Sequence, residues 1–304
     1  MEPFKVHILG CGSALPTLKH FPSAQVVEVR GKLFLVDCGE GTQIQLRRSH
    51  LRFTKISAVF ISHLHGDHCF GLIGMLSTFG LLGRTAKLKI YGPAELGDIL
   101  RNQMAQFCND FDYEVEFCPV DTSRQEGIYE DRSLTIGTIP LQHRVKCCGY
   151  LFREKAMLPH IRRDMADFYG IPVSRFDSIK AGADWTTEEG EVVPNERLTT
   201  PSEPPRSYAY CSDTRYMPEL HKMLTGVTTL YHESTYGMDQ QLLAEKYNHS
   251  TARQAAMVAR DAGVQQLILG HYSSRYENEK ILLDEAREVF ENSRLSDEMA
   301  VFDV

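Results

Sequence analysis

Short hydrophobic runs separated by turn residues predict a chain of alternating strands and helices. Lys5–Leu9 ends in Gly10-Cys11-Gly12, and Ala58–Ser62 leads directly into a histidine-rich stretch. Short apolar runs bounded by glycine or proline are typical of buried strands. The other predicted strands are Ala24–Arg30, Lys32–Val36, Leu88–Tyr91, Tyr113–Val120, Ser133–Leu141, Ser207–Ser212, Thr228–His232 and Gln266–Gly270, and the predicted helices are Thr42–Ser49, Ala94–Cys108, Ala252–Ala262 and Lys280–Phe290.

Residues 153–205 interrupt this pattern. The segment contains six prolines and little sustained periodicity. Because a connection of about 50 residues is far longer than an ordinary loop, we expect either a functional appendage or partial disorder. Its charge is uneven: residues 153–180 carry six Lys/Arg and four Asp/Glu, whereas residues 181–205 carry one basic and six acidic residues.

The composition is that of a globular protein and not of a generic polycation. The 304 residues include 42% hydrophobic and 24% charged residues, and the formal net charge is −7. These values exclude a disordered chain and a fibrous repeat. If the protein binds nucleic acid, its basic residues must be gathered locally.

Nothing in the sequence predicts export or membrane insertion. The N-terminus lacks a basic and apolar leader, and the longest apolar stretch, 72–83, is too short to span a bilayer. The eight cysteines are scattered and form no CxxC pair. We therefore expect a cytoplasmic protein with reduced cysteines.

The strongest chemical signal is the sequence Ser-His-Leu-His-Gly-Asp-His at positions 62–68. Four possible metal ligands, His63, His65, Asp67 and His68, lie within six residues just after a predicted strand. Neutral imidazoles and carboxylates suit zinc and similar first-row ions. The alternative interpretation is a solvated loop that happens to be rich in histidine.

This HxHxDH pattern resembles the metallo-β-lactamase superfamily. The resemblance implies three later ligands, each at the end of an apolar run, and His143, Asp213 and His271 fit these positions. It further implies two Zn²⁺ ions per subunit, with Mn²⁺ or another divalent metal as an alternative. One ion would take His63, His65 and His143, the other Asp67, His68 and His271, and Asp213 would bridge them. Asp67 would also orient the attacking hydroxide.

Further motifs resemble the ribonuclease Z family within this superfamily. They are Leu9–Pro16, Val36–Gln43, His63–Gly71, His-Glu-Ser-Thr at 232–235 and His-Ser-Thr at 249–251. The resemblance implies an α/β fold, a metallo-β-lactamase-like four-layer αββα sandwich with a protruding flexible arm, in one domain over residues 1–304. The implied activity is zinc-dependent removal of the 3′ trailer from precursor tRNA, leaving a tRNA 3′-hydroxyl and a 5′-phosphate on the trailer. The implied assembly is a homodimer.

The resemblance also assigns roles outside the ligand set. His249 would be the general acid that protonates the leaving 3′ oxygen, with Glu233 as its partner. Alternatively, Ser250 and Thr251 cap the next helix and His249 is merely solvated beside them. Asp37 is interpreted as a support of the metal loop or as a turn former. His232 is a support or a packed core histidine.

Basic residues in two regions are candidates for RNA contact. In ribonuclease Z an arm inserted between the third and fourth ligand motifs clamps tRNA, and residues 153–205 lie at that position. Its candidate phosphate contacts are Lys155, Arg162, Arg163, Arg175 and Lys180; the alternative is an acidic solvated flap. Arg47, Arg48 and Arg52 form either a phosphate-binding edge or simple complements to a helix C-terminus. Lys19 and His20 are further candidates for substrate contact.

Two other functions remain open at this point. One is a small-molecule phosphodiesterase, thioesterase or lactonase of the same superfamily, which would need no arm. The other is a non-catalytic RNA-binding protein with a structural metal site. The complete ligand set and His249 argue against the second alternative.

Overall fold

The computed structural model describes residues 2–108 and 112–304 and divides into two compact units. The main unit comprises residues 2–130, 135–153 and 206–304, and the arm unit comprises residues 131–134 and 154–205. The arm unit thus coincides with the segment in which the sequence pattern is interrupted.

The strands and helices follow one another in the order that the hydrophobic pattern predicts, with several additions. The strands are β1 (Phe4–Gly10), β2 (Ala24–Val29), β3 (Lys32–Val36), β4 (Ile56–Phe60), β5 (Leu88–Pro93), β6 (Val115–Val120), β7 (Gly127–Glu130), β8 (Leu134–Pro140), β9 (Cys148–Glu154), β10 (His160–Ile161), β11 (Trp185–Thr186), β12 (Val192–Val193), β13 (Thr199–Thr200), β14 (Ser207–Cys211), β15 (Thr229–Glu233), β16 (Gln266–Gly270), β17 (Ser293–Leu295) and β18 (Val301–Asp303). The α-helices are α1 (Thr42–Arg48), α2 (Gly66–Cys69), α3 (Leu72–Leu81), α4 (Leu96–Phe107), α5 (Arg163–Phe168), α6 (Phe176–Lys180), α7 (Asn195–Leu198), α8 (Leu220–Leu224), α9 (Gln241–Tyr247), α10 (Ala252–Ala262) and α11 (Lys280–Arg287).

Two mixed sheets form the centre of the main unit. The first has the order β18-β1-β2-β3-β4-β5-β6, and the second has the order β17-β16-β15-β14-β9-β8-β7. Strands β3 to β6 run parallel, as do β14 to β17, whereas β1 and β2 are antiparallel to their neighbours. Parallel strands deliver their carboxyl ends to one edge of a sheet, and this arrangement positions the site described below.

An aromatic layer joins the two sheets. The ring of Phe60 on β4 lies 5.2 Å from that of Tyr150 on β9, and the rings of Phe34 and Phe152 are 5.9 Å apart. All four side chains are buried, and each contributes roughly 1.5–3 kcal/mol by leaving water. The sheets therefore pack face to face through their apolar sides.

Helices cover the outer faces of both sheets. Apolar residues of α1, α3 and α4, including Leu46, Phe79 and Leu100, pack in one core cluster with residues of the first sheet. Helices α8 and α11 pack with α10, which lies against β15 and β16. The predicted α/β sandwich is confirmed, and among the described residues no helix has the length and hydrophobicity needed to cross a membrane.

The arm unit has its own small core. Ala166, Ile171, Phe176, Ile179, Val193 and Leu198 are buried together within it. Helices α5 to α7 and two short two-stranded sheets, β10 with β13 and β11 with β12, surround this core. The sequence did not reveal these elements because each spans only two to six residues, too few to establish a periodic pattern.

Candidate metal centre and cleft

The HxHxDH residues and three later side chains meet where strands of the two sheets end. His63 and His65 follow β4, and helix α2 carries Asp67 and His68. Asp213 is the second residue after β14, and His271 comes directly after β16. Seven predicted ligands, with His143 from the loop after β8, thus converge on one region.

The first group of ligand atoms combines three histidines with one oxygen of Asp213. His65 Nδ1 lies 3.2 Å from His63 Nε2 and 3.3 Å from His143 Nε2. The Oδ2 atom of Asp213 is 3.6 Å from the Nε2 atoms of both His63 and His143. These four atoms enclose one point.

The second group uses the other oxygen of the same carboxylate. Asp213 Oδ1 lies 3.2 Å from His68 Nε2 and 3.1 Å from His271 Nε2. The Oδ2 atom of Asp67 is 3.4 Å from each of these two nitrogens. Asp213 is therefore placed to bridge the two groups.

The spacing of these atoms fits two cations. Four ligands about 2.0–2.1 Å from a tetrahedral ion stand about 3.3 Å from one another, which is the separation seen in both groups. Burial acts to lower the pKa of His68, but Asp213, Asp67 and Asp37 outweigh it and raise that pKa well above its ordinary value. A concentration of buried carboxylates that draws a proton onto an imidazole is an environment that favours bound cations.

Hydrogen bonds on the far side of the rings turn the ligand nitrogens toward these points. The Nδ1–H groups of His68, His143 and His271 donate to Asp37 Oδ2, the Asn248 carbonyl oxygen and Thr235 Oγ1 at 2.7, 2.9 and 2.9 Å. With Nδ1 protonated, each ring in its neutral form presents the Nε2 lone pair to the centre. Such partners fix both the tautomer and the orientation of a metal-binding histidine.

Asp37 organises the loop beneath the centre. Its carboxylate accepts hydrogen bonds from the Ser62 backbone N–H and hydroxyl, the Tyr210 hydroxyl and the His68 ring, at 2.6–2.8 Å. The residue is fully buried, and its φ of 56° is unusual for a residue other than glycine. A strained backbone held by four donors is consistent with a support of the ligands, the role predicted for Asp37.

A second polar network joins Glu233 to His249 and His271. His249 Nδ1 lies 2.9 Å from Glu233 Oε1, while the Thr235 hydroxyl donates to Glu233 Oε2 and accepts from His271. Burial acts to lower the pKa of His249, but the charge and hydrogen bond of Glu233 raise it to about 9. Thr251 also caps α10 as predicted, since its side chain accepts from the Gln254 N–H. The cap and the contact of His249 with Glu233 therefore coexist.

A polar cleft opens onto the ligand groups. Its walls include Ser13, Pro16, Phe70, Arg144, Tyr236 and Tyr247, and its floor includes His65, Asp67, His249 and His271. The cleft therefore gives access to members of both ligand groups and to the His249 ring.

Several predicted site residues lie elsewhere. His232 is buried, and its Nδ1 donates to the Glu233 carbonyl oxygen at 2.8 Å, as expected of a packed core histidine. Arg47, Arg48 and Arg52 are exposed at the end of α1 and beyond it and do not line the cleft. The expectation that His20 approaches substrate is wrong, because its ring is buried between Glu279 and Glu298 at 3.1 and 2.8 Å.

The arm unit holds the remaining predicted RNA contacts. Arg163 and Arg175 are exposed, Arg162 pairs with Asp164 at 2.9 Å, and the guanidinium of Arg163 lies over the Phe176 ring. Lys155 and Lys180 are partly buried in the same unit. Their role in binding RNA stays a prediction.

Sequence reasoning missed some residues that the geometry brings to the site. Ser62 and Thr235 hold ligand rings, Tyr210 bonds Asp37, and Arg144 and Tyr247 line the cleft. Ser62 and Thr235 were within motifs already singled out, next to His63 and two residues after Glu233. Tyr210 reaches Asp37 only through the packing of the two sheets, so the sequence carries no local signal for it.

Comparisons with known proteins define first a class and then a family. A family model described as Anti-Pycsar protein Apyc1 matches residues 4–160. The structure of the metallo-β-lactamase fold protein YhfI from Bacillus subtilis is 19% identical in sequence. The match covers 99% of this chain and 100% of YhfI, with a TM-score of 0.69. The short form of human tRNase Z is 24% identical, covers 98% of both chains and gives a TM-score of 0.70. The chain therefore has the metallo-β-lactamase fold.

A sequence match over nearly the full length of the chain identifies a family within this fold class. It is 56% identical to a ribonuclease Z of Bacteroides fragilis over 298 residues, which is 98% of each protein. The chain belongs to the ribonuclease Z family, and the resemblance inferred from its motifs is confirmed.

Proposed function

We propose that this protein is a metal-dependent endoribonuclease that removes the 3′ trailer from precursor tRNA, leaving a tRNA 3′-hydroxyl and a 5′-phosphate on the trailer. The observation that carries the proposal is the joint placement of two ligand groups and the His249–Glu233 pair in one cleft. Metal binding and leaving-group protonation then have separate residues, whereas Asp67 serves both as a ligand and in orienting the attacking water.

The ligand groups would hold two divalent cations, which we propose are Zn²⁺, with Mn²⁺ as an alternative. When bound, such a pair supplies Lewis acidity to the phosphate and an activated water at neutral pH. The protein contributes the spacing, through Asp213, and the ring orientations, through Asp37, Thr235 and the Asn248 carbonyl.

Asp67 is placed to orient the attacking water. Its Oδ2 atom faces His68 and His271, whereas its Oδ1 atom has no hydrogen-bond partner among the described residues. Because Asp67 lines the cleft, this free oxygen can accept a hydrogen bond from the water. A fixed water needs less reorganisation to reach the phosphorus atom.

His249 is placed to protonate the leaving 3′ oxygen. Its Nδ1–H donates to Glu233, and its Nε2 has no hydrogen-bond partner in the described part of the chain. The ring lines the cleft, so Nε2 can donate a proton there. General acids contribute about 10²–10⁴-fold to such steps.

Affinity for tRNA must come from local positive charge, because the chain as a whole is acidic. We propose that Lys155, Arg162, Arg163, Arg175 and Lys180 of the arm unit contact tRNA phosphates, and that the two cations attract the scissile phosphate. The proposal includes a homodimer acting in the cytoplasm.

A second candidate function is a phosphodiesterase for small molecules. Such an enzyme would need no arm unit, and the family model described as Anti-Pycsar protein Apyc1 matches residues 4–160, a range that contains the HxHxDH ligands and His143. That range ends before Asp213, Glu233, His249 and His271, so it does not contain the proposed general acid. We therefore favour the endoribonuclease.

The test is cleavage of an end-labelled precursor tRNA by the purified protein, with and without a chelator. We expect one cut after the last mature nucleotide, abolished by the chelator and restored by divalent metal. Hydrolysis of small phosphodiesters without any cut in precursor tRNA would favour the second candidate. Tight tRNA binding with no hydrolysis of either substrate would favour a non-catalytic RNA-binding protein.

A further inference from the structure

One wall of the cleft carries a cation and an aromatic ring that the mechanism above does not use. The guanidinium of Arg144 lies 5.5 Å from the centroid of the Tyr247 ring, and the Lys246 ammonium lies 5.2 Å from the same ring. Arg144 and Lys246 are exposed, while Tyr247 is partly buried. A cation within about 6 Å of a ring centroid is attracted to the face of that ring.

Arg144 has no acidic partner, although the chain has an excess of acid. Among the described residues, no carboxylate lies within ion-pair distance of its guanidinium. Lys146, two residues further along the same loop, pairs instead with Glu95 at 2.7 Å. A free guanidinium at the mouth of a catalytic cleft can bind a phosphate or stack on a base.

The chain itself locates this pair beside His249. Tyr247 precedes His249 by two residues, and Asn248 between them adopts a left-handed conformation with φ 56°. The carbonyl oxygen of Asn248 accepts the Nδ1–H of His143, the residue before Arg144. This hydrogen bond ties the Arg144 loop to the Tyr247 turn, and the rings of His143 and His249 lie 4.9 Å apart.

We propose that Arg144 and Tyr247 form the binding subsite for the last nucleotide of the mature tRNA, the one whose 3′ oxygen leaves. The base of that nucleotide stacks on the open face of the Arg144 guanidinium, and the Tyr247 ring supports the opposite face. The assignment rests on the proposed function, because it is His249 that marks the side of the leaving oxygen. Every base has a π face, so this subsite tolerates any base.

The test uses precursor tRNAs that differ only at the last mature nucleotide, one intact and one abasic. For the parent, removing the base lowers kcat/KM about 10- to 100-fold, the usual range for loss of one stacked base. Arg144→Ala and Tyr247→Ala lower kcat/KM for the intact substrate by a similar factor, but lose little more on the abasic one. Arg144→Lys keeps the charge without the planar face and remains impaired, whereas Tyr247→Phe recovers most of the parental rate.

Lys146→Ala is the matched control, because it removes an exposed cation of the same loop that is already paired. This variant keeps the parental rate and the full loss on the abasic substrate. The subsite would be overturned if the loss of kcat/KM caused by Arg144→Ala and the loss caused by removing the base were additive. It would also be overturned if Arg144→Ala lost bound metal. A parent that cuts both substrates at equal rates overturns the subsite alone. A parent that cuts no precursor tRNA overturns the proposed function and the subsite with it.

Discussion

The Nδ1 atom of His249 lies 2.9 Å from Oε1 of Glu233, and through this contact one buried carboxylate serves two histidines. Its second oxygen accepts the hydroxyl of Thr235, which in turn accepts the Nδ1–H of His271. The proposed acid and a proposed metal ligand are therefore oriented by the same group. Substitution of His249 or of Thr235 breaks one of these two connections, so the protonation step and metal binding can be tested separately.

His249→Ala should slow cleavage without loss of metal. Because the ribose 3′ oxygen is a poor leaving group, we expect kcat on precursor tRNA to fall about 10²–10⁴-fold. When sulfur replaces the bridging 3′ oxygen of the substrate, the leaving group is a thiolate that needs no proton. This substrate should therefore restore most of the rate. Single-turnover rates on both substrates, with the metal content of each sample, measure the effect.

His221→Ala provides the control, since His221 is partly exposed and, among the described residues, its ring bonds only the Pro218 carbonyl oxygen of its own turn. We expect parental rates on both substrates for this variant. An equal loss for His249→Ala on the oxygen and sulfur substrates would mean that His249 does not supply the proton.

Thr235→Val should weaken metal binding through His271. The substitution keeps the shape of the side chain but removes the acceptor of the His271 Nδ1–H and the donor to Glu233. Loss of such an outer partner typically costs 10- to 100-fold in metal affinity. Competition with a chromophoric chelator measures this affinity, and Thr235→Ser, which retains the hydroxyl, should remain near the parental value. Equal affinities for the parent and Thr235→Val would show that the hydroxyl does not orient His271.

The sequence could predict the ligands because each one lies in a single local motif or shortly after an apolar run. HxHxDH is local, and His143, Asp213 and His271 each follow an apolar run, so the order of the motifs was enough to name them. The Asn248 carbonyl could not be named in this way. It meets His143 because Asn248 itself ends α9 in a left-handed conformation, and that meeting joins segments 105 residues apart.

Strands and helices that the sequence did not predict also lack a local signal. Strand β9 was not predicted, since its residues 148–152 are apolar throughout and show no alternation between two faces. A strand buried on both sides has this pattern, and periodicity cannot distinguish it from other buried segments. The arm unit was missed because its core is assembled from very short elements.

Charge reversal in the arm unit should weaken tRNA binding in a salt-dependent manner. Arg162→Glu, Arg175→Glu and Lys180→Glu together remove three candidate phosphate contacts. Each contact contributes about 0.7–0.9 to the steepness with which log K decreases against log salt. We therefore expect the magnitude of this slope to decrease by about 2–3. Filter binding of precursor tRNA between low and moderate salt measures it.

A control with the same change of charge uses exposed basic residues of the main unit, Arg101→Glu, Lys222→Glu and Lys280→Glu. Each of these residues already pairs with an acidic neighbour. If the control triple variant lowers the slope as much as the arm variant does, then net charge and not the arm determines the affinity.

Stability should depend on pH through His20, far from the ligand set in sequence. The ring lies between Glu279 and Glu298, with Cys11 and Asp297 also facing it, and Lys19 pairs with Glu279. Burial acts to lower the pKa of His20, but Glu298 and Glu279 outweigh it and raise that pKa. Burial acts to raise the pKa of both glutamates, but the hydrogen bonds of Lys19 and then His20 lower the pKa of Glu279, and His20 lowers the pKa of Glu298.

The signs of these shifts define a pH window. A raised histidine pKa stabilises the fold fully below about 6.5, the unfolded value, and this contribution is lost as pH rises through the folded value. The lowered glutamate pKa values stabilise above about 4.3 and are lost as pH falls. The cluster therefore contributes most between these limits, and removing one partner of a buried pair there costs roughly 3 kcal/mol.

His20→Gln isolates the histidine part of this dependence. We expect the free energy of unfolding of the variant to lie well below that of the parent at pH 6, and the gap to narrow toward pH 9 as His20 of the parent loses its proton. Urea unfolding at both pH values gives the difference between the two proteins, in which the titration of all other groups largely cancels. The distant His221→Gln should show no such gap. A gap for His20→Gln that is constant from pH 6 to pH 9 would mean that the ring stabilises the fold as a neutral, packed side chain and not as the cation between Glu279 and Glu298.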